Sequence, residues 1–302
     1  MTPAGRETVR HSFAQYDGVQ PVGNLIESDG ALYGTAYTGG KLGAGTVFRL
    51  ASDGTLTVLH SFDDESDDGG LPEGGLVALN KTFYGTTGGG GASSAGVVYS
   101  VADSGHEHVL HSFSGTDGSD PDSSLVASNG VLYGTTIDGG KYSGGVAFRV
   151  SLSGKLKVLH DFGNGSDGKL IFGALVFYKG SFYGTTGFDG ADGFGTVYKM
   201  SASGKESVLY SFTGGSDGCD PMAGLVVANG SFYGTTFGSP CSSNGTVFRI
   251  SPGGKETTLH VFTGGKGGAN PYGGVAVVGN KLYGTTQNGG SSSKGLMFAI
   301  TL

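Results

Sequence analysis

The chain has 302 residues, 62 of them glycine, and a formal net charge of −7. So much glycine would suit collagen or a disordered chain, but there is no Gly-X-Y period, and 18 Phe with 14 Tyr are spread evenly, which argues against both. Without any Lys/Arg run, nucleic acid and anionic membrane are poor partners, and no apolar stretch nears the roughly 18 residues that span a bilayer.

The chain opens with "ETVRHSF", a short β-type segment, and then repeats itself. A Tyr-Gly-Thr occurs at Tyr33, Tyr84, Tyr133, Tyr183, Tyr233 and Tyr283, and subtracting neighbours gives intervals of 51, 49, 50, 50 and 50 residues. Six copies of one unit follow, a period typical of stacked or radial supersecondary units. The length alone would allow two domains, but a repeat array makes a single domain over 1–302 the expectation.

Each unit reads as four strands, as in the fifth: "GLVVANG", "SFYGTTF", "NGTVFRIS" and "TTLHVF". Segments such as "ANG" and "SNG" between the first two strands, and "SPGG" or "SLSG" between the last two, are hairpin turns. The last unit stops after a third-type strand, "GLMFAITL", and the N-terminal segment is a fourth-type strand. Joining the two ends completes the sixth unit and removes exposed sheet edges at the seam. The predicted fold is therefore all-β: a six-bladed β-propeller of four-stranded antiparallel blades, its ring closed by the N-terminal strand.

The unit "LHSFSGTDGSDPDSSLVASNGVLYGTTIDGGKYSGGVAFRV" resembles the Gloeo/Verruco (GloVer) tandem repeat of bacteria. The resemblance spans nearly the whole chain and rests on His-Ser-Phe, Asp-Gly with Pro, Gly-Leu-Val, Tyr-Gly-Thr-Thr, Gly-Gly and Gly-Thr-Val-Phe in combination. The fourth unit departs most, with Ile171 in the proline position. Members often carry export or surface-anchoring signals, so the resemblance implies an extracellular or cell-surface protein and no particular reaction. The opening "MTPAGRETVRHSF" has no apolar signal-peptide core, so any export signal would have to lie outside the chain as given.

In a four-stranded meander, the loops entering the first strand and those joining the second to the third share one face, where a binding site is expected. Cys219 and Cys241 lie in these two loop types of one unit, and with export implied they are expected to form a disulfide, the alternative being two free thiols. The units differ at Val22, Glu73, Asp122, Phe172, Met222 and Tyr272, just before the first strand, and again at Tyr37, Gly88, Ile137, Gly187, Phe237 and Gln287, just after Tyr-Gly-Thr-Thr. Glu73, Asp122, Phe172, Met222, Tyr272, Tyr37 and Phe237 are accordingly the candidate ligand-binding residues. Sugar sites pair aromatic stacking with carboxylate hydrogen bonds, and glycosidases use two carboxyls roughly 5–9.5 Å apart, so Glu73 and Asp122 are the acid and base candidates should there be catalysis. Solvated loop charges are the simpler reading of the pair.

"DDESDDGG" fits part of a calcium loop through Asp64, Ser66, Asp68 and Gly69, with Gly75 where the closing Glu belongs; Asp64 and Asp68 are its calcium candidates. No other metal or cofactor is expected. His11, His60, His111, His160 and His260, with Tyr210 in the remaining unit, occupy one strand position, and a ring of them cannot converge on one ion. Asp17, Asp117, Asp167 and Asp217, each followed by Gly, read as turn-forming residues. In Tyr-Gly-Thr-Thr, Tyr is expected to pack between units, Gly to permit close approach and the Thr hydroxyls to tie loops.

The sequence favours a monomeric binding or scaffold module that recognises a polysaccharide or a protein. An enzyme acting on a glycan or lactone through Glu73 and Asp122 is the alternative, and a purely structural envelope role is a third.

Overall fold

In the computed structural model, the described residues are 8–64, 67–239, 241 and 243–302. They are all-β apart from one short 3-10 turn at Gly265–Gly267. None of their helices is long and apolar enough to cross a membrane. Each of the first five repeats forms a four-stranded sheet and the sixth a three-stranded one, with neighbouring strands adjacent in every case.

The fifth repeat shows why the residues fold this way. Its strands are Val226–Ala228, Ser231–Thr236, Thr246–Ile250 and Glu256–Val261. Asn229 and Gly230 join the first two at φ 47° and 72°, the two positive angles that a tight hairpin needs. The second strand pairs antiparallel with the third, Gly234 opposite Phe248. The virtual Cβ of Gly234 would lie 2.6 Å from the Phe248 ring, so glycine is required where the third-strand aromatic crosses it.

Two compact units emerge from the contacts: residues 1–115, 120–132 and 150–156 in one, and 116–119, 133–149 and 157–302 in the other. In the first unit, Tyr33 of the first repeat stacks on Phe83 of the second at 4.0 Å, inside a core that includes Val47, Phe62, Val97 and Tyr99. In the second unit, Tyr183 and Phe232 repeat this contact at 4.1 Å, within a core of Val197, Phe212, Phe248 and Ile250. The tyrosine of Tyr-Gly-Thr thus packs between successive repeats, as expected.

Residues 8–14 are not in a strand, and the sixth sheet ends at its third strand, Leu296–Thr301. The segment nevertheless packs on the first repeat: Phe13 meets Phe48 edge-on at 5.0 Å, as Phe62 meets Tyr99 one repeat later. The part of the segment before residue 8 lies outside the described residues.

Candidate functional site

In four repeats the threonine of Tyr-Gly-Thr holds the variable position of the next repeat. Thr35 Oγ1 donates to the Gly74 carbonyl at 3.1 Å and Thr86 Oγ1 to the Ser123 carbonyl at 3.0 Å, each fixing the residue that follows a variable position in the next repeat. Thr185 and Thr235 do the same to Ala223 and Gly273. The second threonine staples its own loop: Thr87 Oγ1 donates to the Gly89 carbonyl and accepts from the Val97 amide.

In the first unit this framework brings three carboxyl groups together. Asp122 lies within hydrogen-bonding range of both Glu73 and Asp120, with Tyr37 inside the same electrostatic neighbourhood. Gly88 makes the room: a Cβ there would collide with Asp122 Oδ1 and lie 2.7 Å from Asp120 Oδ1. Burial, then repulsion from Asp120 and Glu73, pushes Asp122 up to about 8. With all three ionised, the buried Asp122 Oδ1 has no donor; a proton on Asp122 removes that defect by allowing it to donate to a neighbouring carboxylate. Burial and the same carboxylates raise Tyr37 as well, so it remains a neutral phenol. Glu73 is exposed, which leaves one end of the cluster open to solvent.

The other candidates belong to the second unit. Phe237 and Tyr272 form an edge-on pair with centroids 6.0 Å apart, and Tyr272 is 57% exposed. Phe172 lies against Gly187, whose missing side chain accommodates the ring, and Met222 is partly buried beside Ala223. Asp220, the equivalent of Asp120, is 2% exposed, and burial alone pushes it up to about 7.

Sequence reasoning missed the partners of the repeated histidines. His11, His60 and His160 each place Nε2 2.7–2.9 Å from a loop carboxylate, that of Asp17, Asp68 and Asp167 respectively. Tyr210 donates to Asp217 at 2.9 Å, which explains how Tyr substitutes for His in that repeat. Spacing held the signal: the aspartate follows the ring residue by six to eight positions each time. The aspartates also accept backbone amides, as Asp217 does from Thr213 at 2.8 Å, so the turn-forming expectation is met.

Of the calcium candidates, Asp68 faces His60, whereas Asp64 lies over Gly70 and Gly89 of a short two-stranded ladder, and Ser66 is outside the described residues. Cys219 and Cys241 form the disulfide, with Cα atoms 6.3 Å apart, and no free cysteine remains.

No curated protein matches the chain in sequence. Solved structures show a likeness of fold. A candidate 6-phosphogluconolactonase from Bacteroides uniformis is 18% identical with a TM-score of 0.55, over 90% of this chain and 80% of its own. A luciferin-regenerating enzyme is 14% identical with a TM-score of 0.51, over 95% and 92%. A puromycin-hydrolyzing peptidase from Mycobacterium tuberculosis is 10% identical with a TM-score of 0.58, over 96% of this chain and 45% of its own. Such low identities establish an all-β, propeller-like fold and nothing about chemistry. The family model for the Gloeobacter/Verrucomicrobia repeat matches residues 1–143 and 102–298, two overlapping stretches that carry the Tyr-Gly-Thr-Thr units. The chain belongs to the Gloeobacter/Verrucomicrobia repeat family.

Proposed function

We propose that this protein is an extracellular or cell-surface binding module that recognises a hydroxyl-rich polysaccharide through the face bearing Glu73, Asp122 and Tyr37. The observation that carries this reading is the crowding of Asp122 against Glu73 and Asp120 in the space left by Gly88, where burial and the neighbouring carboxylates push Asp122 up to about 8. A neutral acid, an exposed carboxylate and a neutral phenol side by side offer donors and acceptors together, which suits vicinal hydroxyls better than a charged partner. Phe237 and Tyr272 add aromatic surface in the other unit. The Cys219–Cys241 disulfide supports an oxidising compartment.

The six repeats are proposed to act as one single-domain, monomeric, six-bladed ring, in which the N-terminal segment takes the place of the missing fourth strand. Arg10 and Phe13 support this, because they meet Gly54 and Phe48 of the first repeat as Leu59 and Phe62 meet Gly105 and Tyr99 of the second.

A second reading, catalysis on a glycan or lactone, draws on the same cluster, since a carboxyl raised by burial beside a second carboxyl is the kind of arrangement that acid–base chemistry uses. Carboxyls within hydrogen-bonding range of each other are closer than the roughly 5–9.5 Å that glycoside hydrolysis uses, which favours binding. The test is a glycan array at neutral pH and again above the Asp122 titration, with Glu73→Gln and Asp122→Asn alongside. Sugar binding that Glu73→Gln abolishes and high pH weakens supports the module. A blank array shifts the assignment to a protein partner, and product release from any hit favours the enzyme.

A further inference from the structure

A second polar cluster lies in the first unit, built partly from the loop that also carries Glu73. Its members are His60 on the fourth strand of the first repeat, Asp68 in the loop that follows, and Glu107 at the start of the fourth strand of the second repeat. One ligand atom from each can be chosen so that all three lie within 4.8 Å of one another. His60 Nε2 and Asp68 Oδ2 are 2.9 Å apart. Two atoms bound to one ion at about 2.1 Å and roughly a right angle lie about 3 Å apart, so this pair already has the separation of adjacent ligands. Glu107 Oε1 is buried and has no hydrogen-bond partner. Beneath it, the wholly buried Tyr99 hydroxyl, also without a partner, is within electrostatic reach of both Glu107 and Asp68.

We propose that His60, Asp68 and Glu107 form a divalent transition-metal site that pins the first repeat to the second. One imidazole nitrogen and two carboxylate oxygens suit Zn2+, and also Co2+ or Mn2+, better than an all-oxygen calcium site. The ion is held by one histidine and by acids from the neighbouring loop and strand, so the objection that a ring of histidines cannot converge does not apply. The same residue types recur in the second unit: His160 Nε2 is 2.9 Å from Asp167, Glu206 feels Asp167 electrostatically, and Glu206 Oε1 is likewise buried without a partner, within electrostatic reach of the wholly buried Tyr198. In the fourth repeat the ring residue is Tyr210, which keeps the aspartate hydrogen bond but offers no nitrogen.

That natural exchange supplies the decisive variant. Chelator-treated protein is titrated with Zn2+ by calorimetry and with Co2+ by visible absorption, comparing the native chain with His60→Tyr and Glu107→Gln. His60→Tyr preserves the hydrogen bond to Asp68, as Tyr210 does to Asp217, so folding is retained. The expected result is saturable binding by the native chain, with affinity at this site weakened about 10-fold or more in each variant, and a rise in thermal midpoint with Zn2+ that His60→Tyr lacks. No saturable binding by the native protein, or equal stoichiometry and affinity in His60→Tyr, overturns the proposal.

Discussion

Thr86 Oγ1 donates to the Ser123 carbonyl at 3.0 Å, so a threonine common to the repeats sets the position of Asp122, a residue peculiar to one of them. The constant part of the sequence holds the variable part in place. Thr86→Val keeps the shape and removes one donor from the buried junction with Ser123. The expected cost is about 1–3 kcal/mol in chemical denaturation, with weaker ligand binding than the native chain at matched temperature.

Gly88 accommodates two carboxyl groups, and any side chain there collides with Asp122. Gly88→Ala is expected to lower stability by about 1–3 kcal/mol and to separate Asp122 from Asp120, which brings Asp122 back toward an ordinary carboxyl. Carboxyl titration by NMR reads both the displacement and its direction.

Stability should fall as alkali is added. Asp122 and Asp220 have folded pKa values raised from 3.8 to about 8 and about 7, so between these limits the folded state keeps protons that the unfolded chain has released. Their contribution is fully present below the unfolded value and is lost as pH rises through the folded one. Thermal midpoints measured across that window should decline, and Asp122→Asn with Asp220→Asn should flatten the slope.

The Cys219–Cys241 bond closes a separation of 22 residues. Loops of that size contribute about 3 kcal/mol by the chain-entropy model. Reduction, or Cys219→Ser with Cys241→Ser, should lower the midpoint of chemical denaturation by a corresponding amount.

Phe62 is fully buried, and Phe62→Ala is expected to cost about 3–5 kcal/mol. Phe13 makes the same edge-on contact with the first repeat from a less buried position, so Phe13→Ala should cost less but remain measurable. A neutral Phe13→Ala would show that the N-terminal segment adds nothing to the first sheet.

The strands were legible because their signals are local. Alternating aromatic and β-branched residues mark each strand, and Asn-Gly or a similar pair marks the hairpin, so Val226–Ala228 and Ser231–Thr236 fall inside the segments that the sequence indicates. Glu73 and Asp122 could be singled out because they break a repeat, and the structure does place their carboxyls together. Asp120 was not singled out. Its role depends on the empty space above Gly88, a tertiary relation that no spacing rule encodes. The pairing of His60 with Asp68 was hidden because each residue has a sufficient local explanation alone, as strand former and turn former.

The turn between the third and fourth strands rests on the preceding repeat through main-chain atoms: a Cβ on Gly105 would lie 2.7 Å from the Leu59 carbonyl oxygen, and Gly254 meets that of Leu209 in the same way. A junction made of glycine and carbonyl demands little of the side chains around it. A duplicated copy therefore arrives with its docking surface intact, and the array can lengthen by recombination before any contact has been tuned. Mutation is then free to accumulate at the few loop positions where copies differ, so that new recognition can evolve without new architecture.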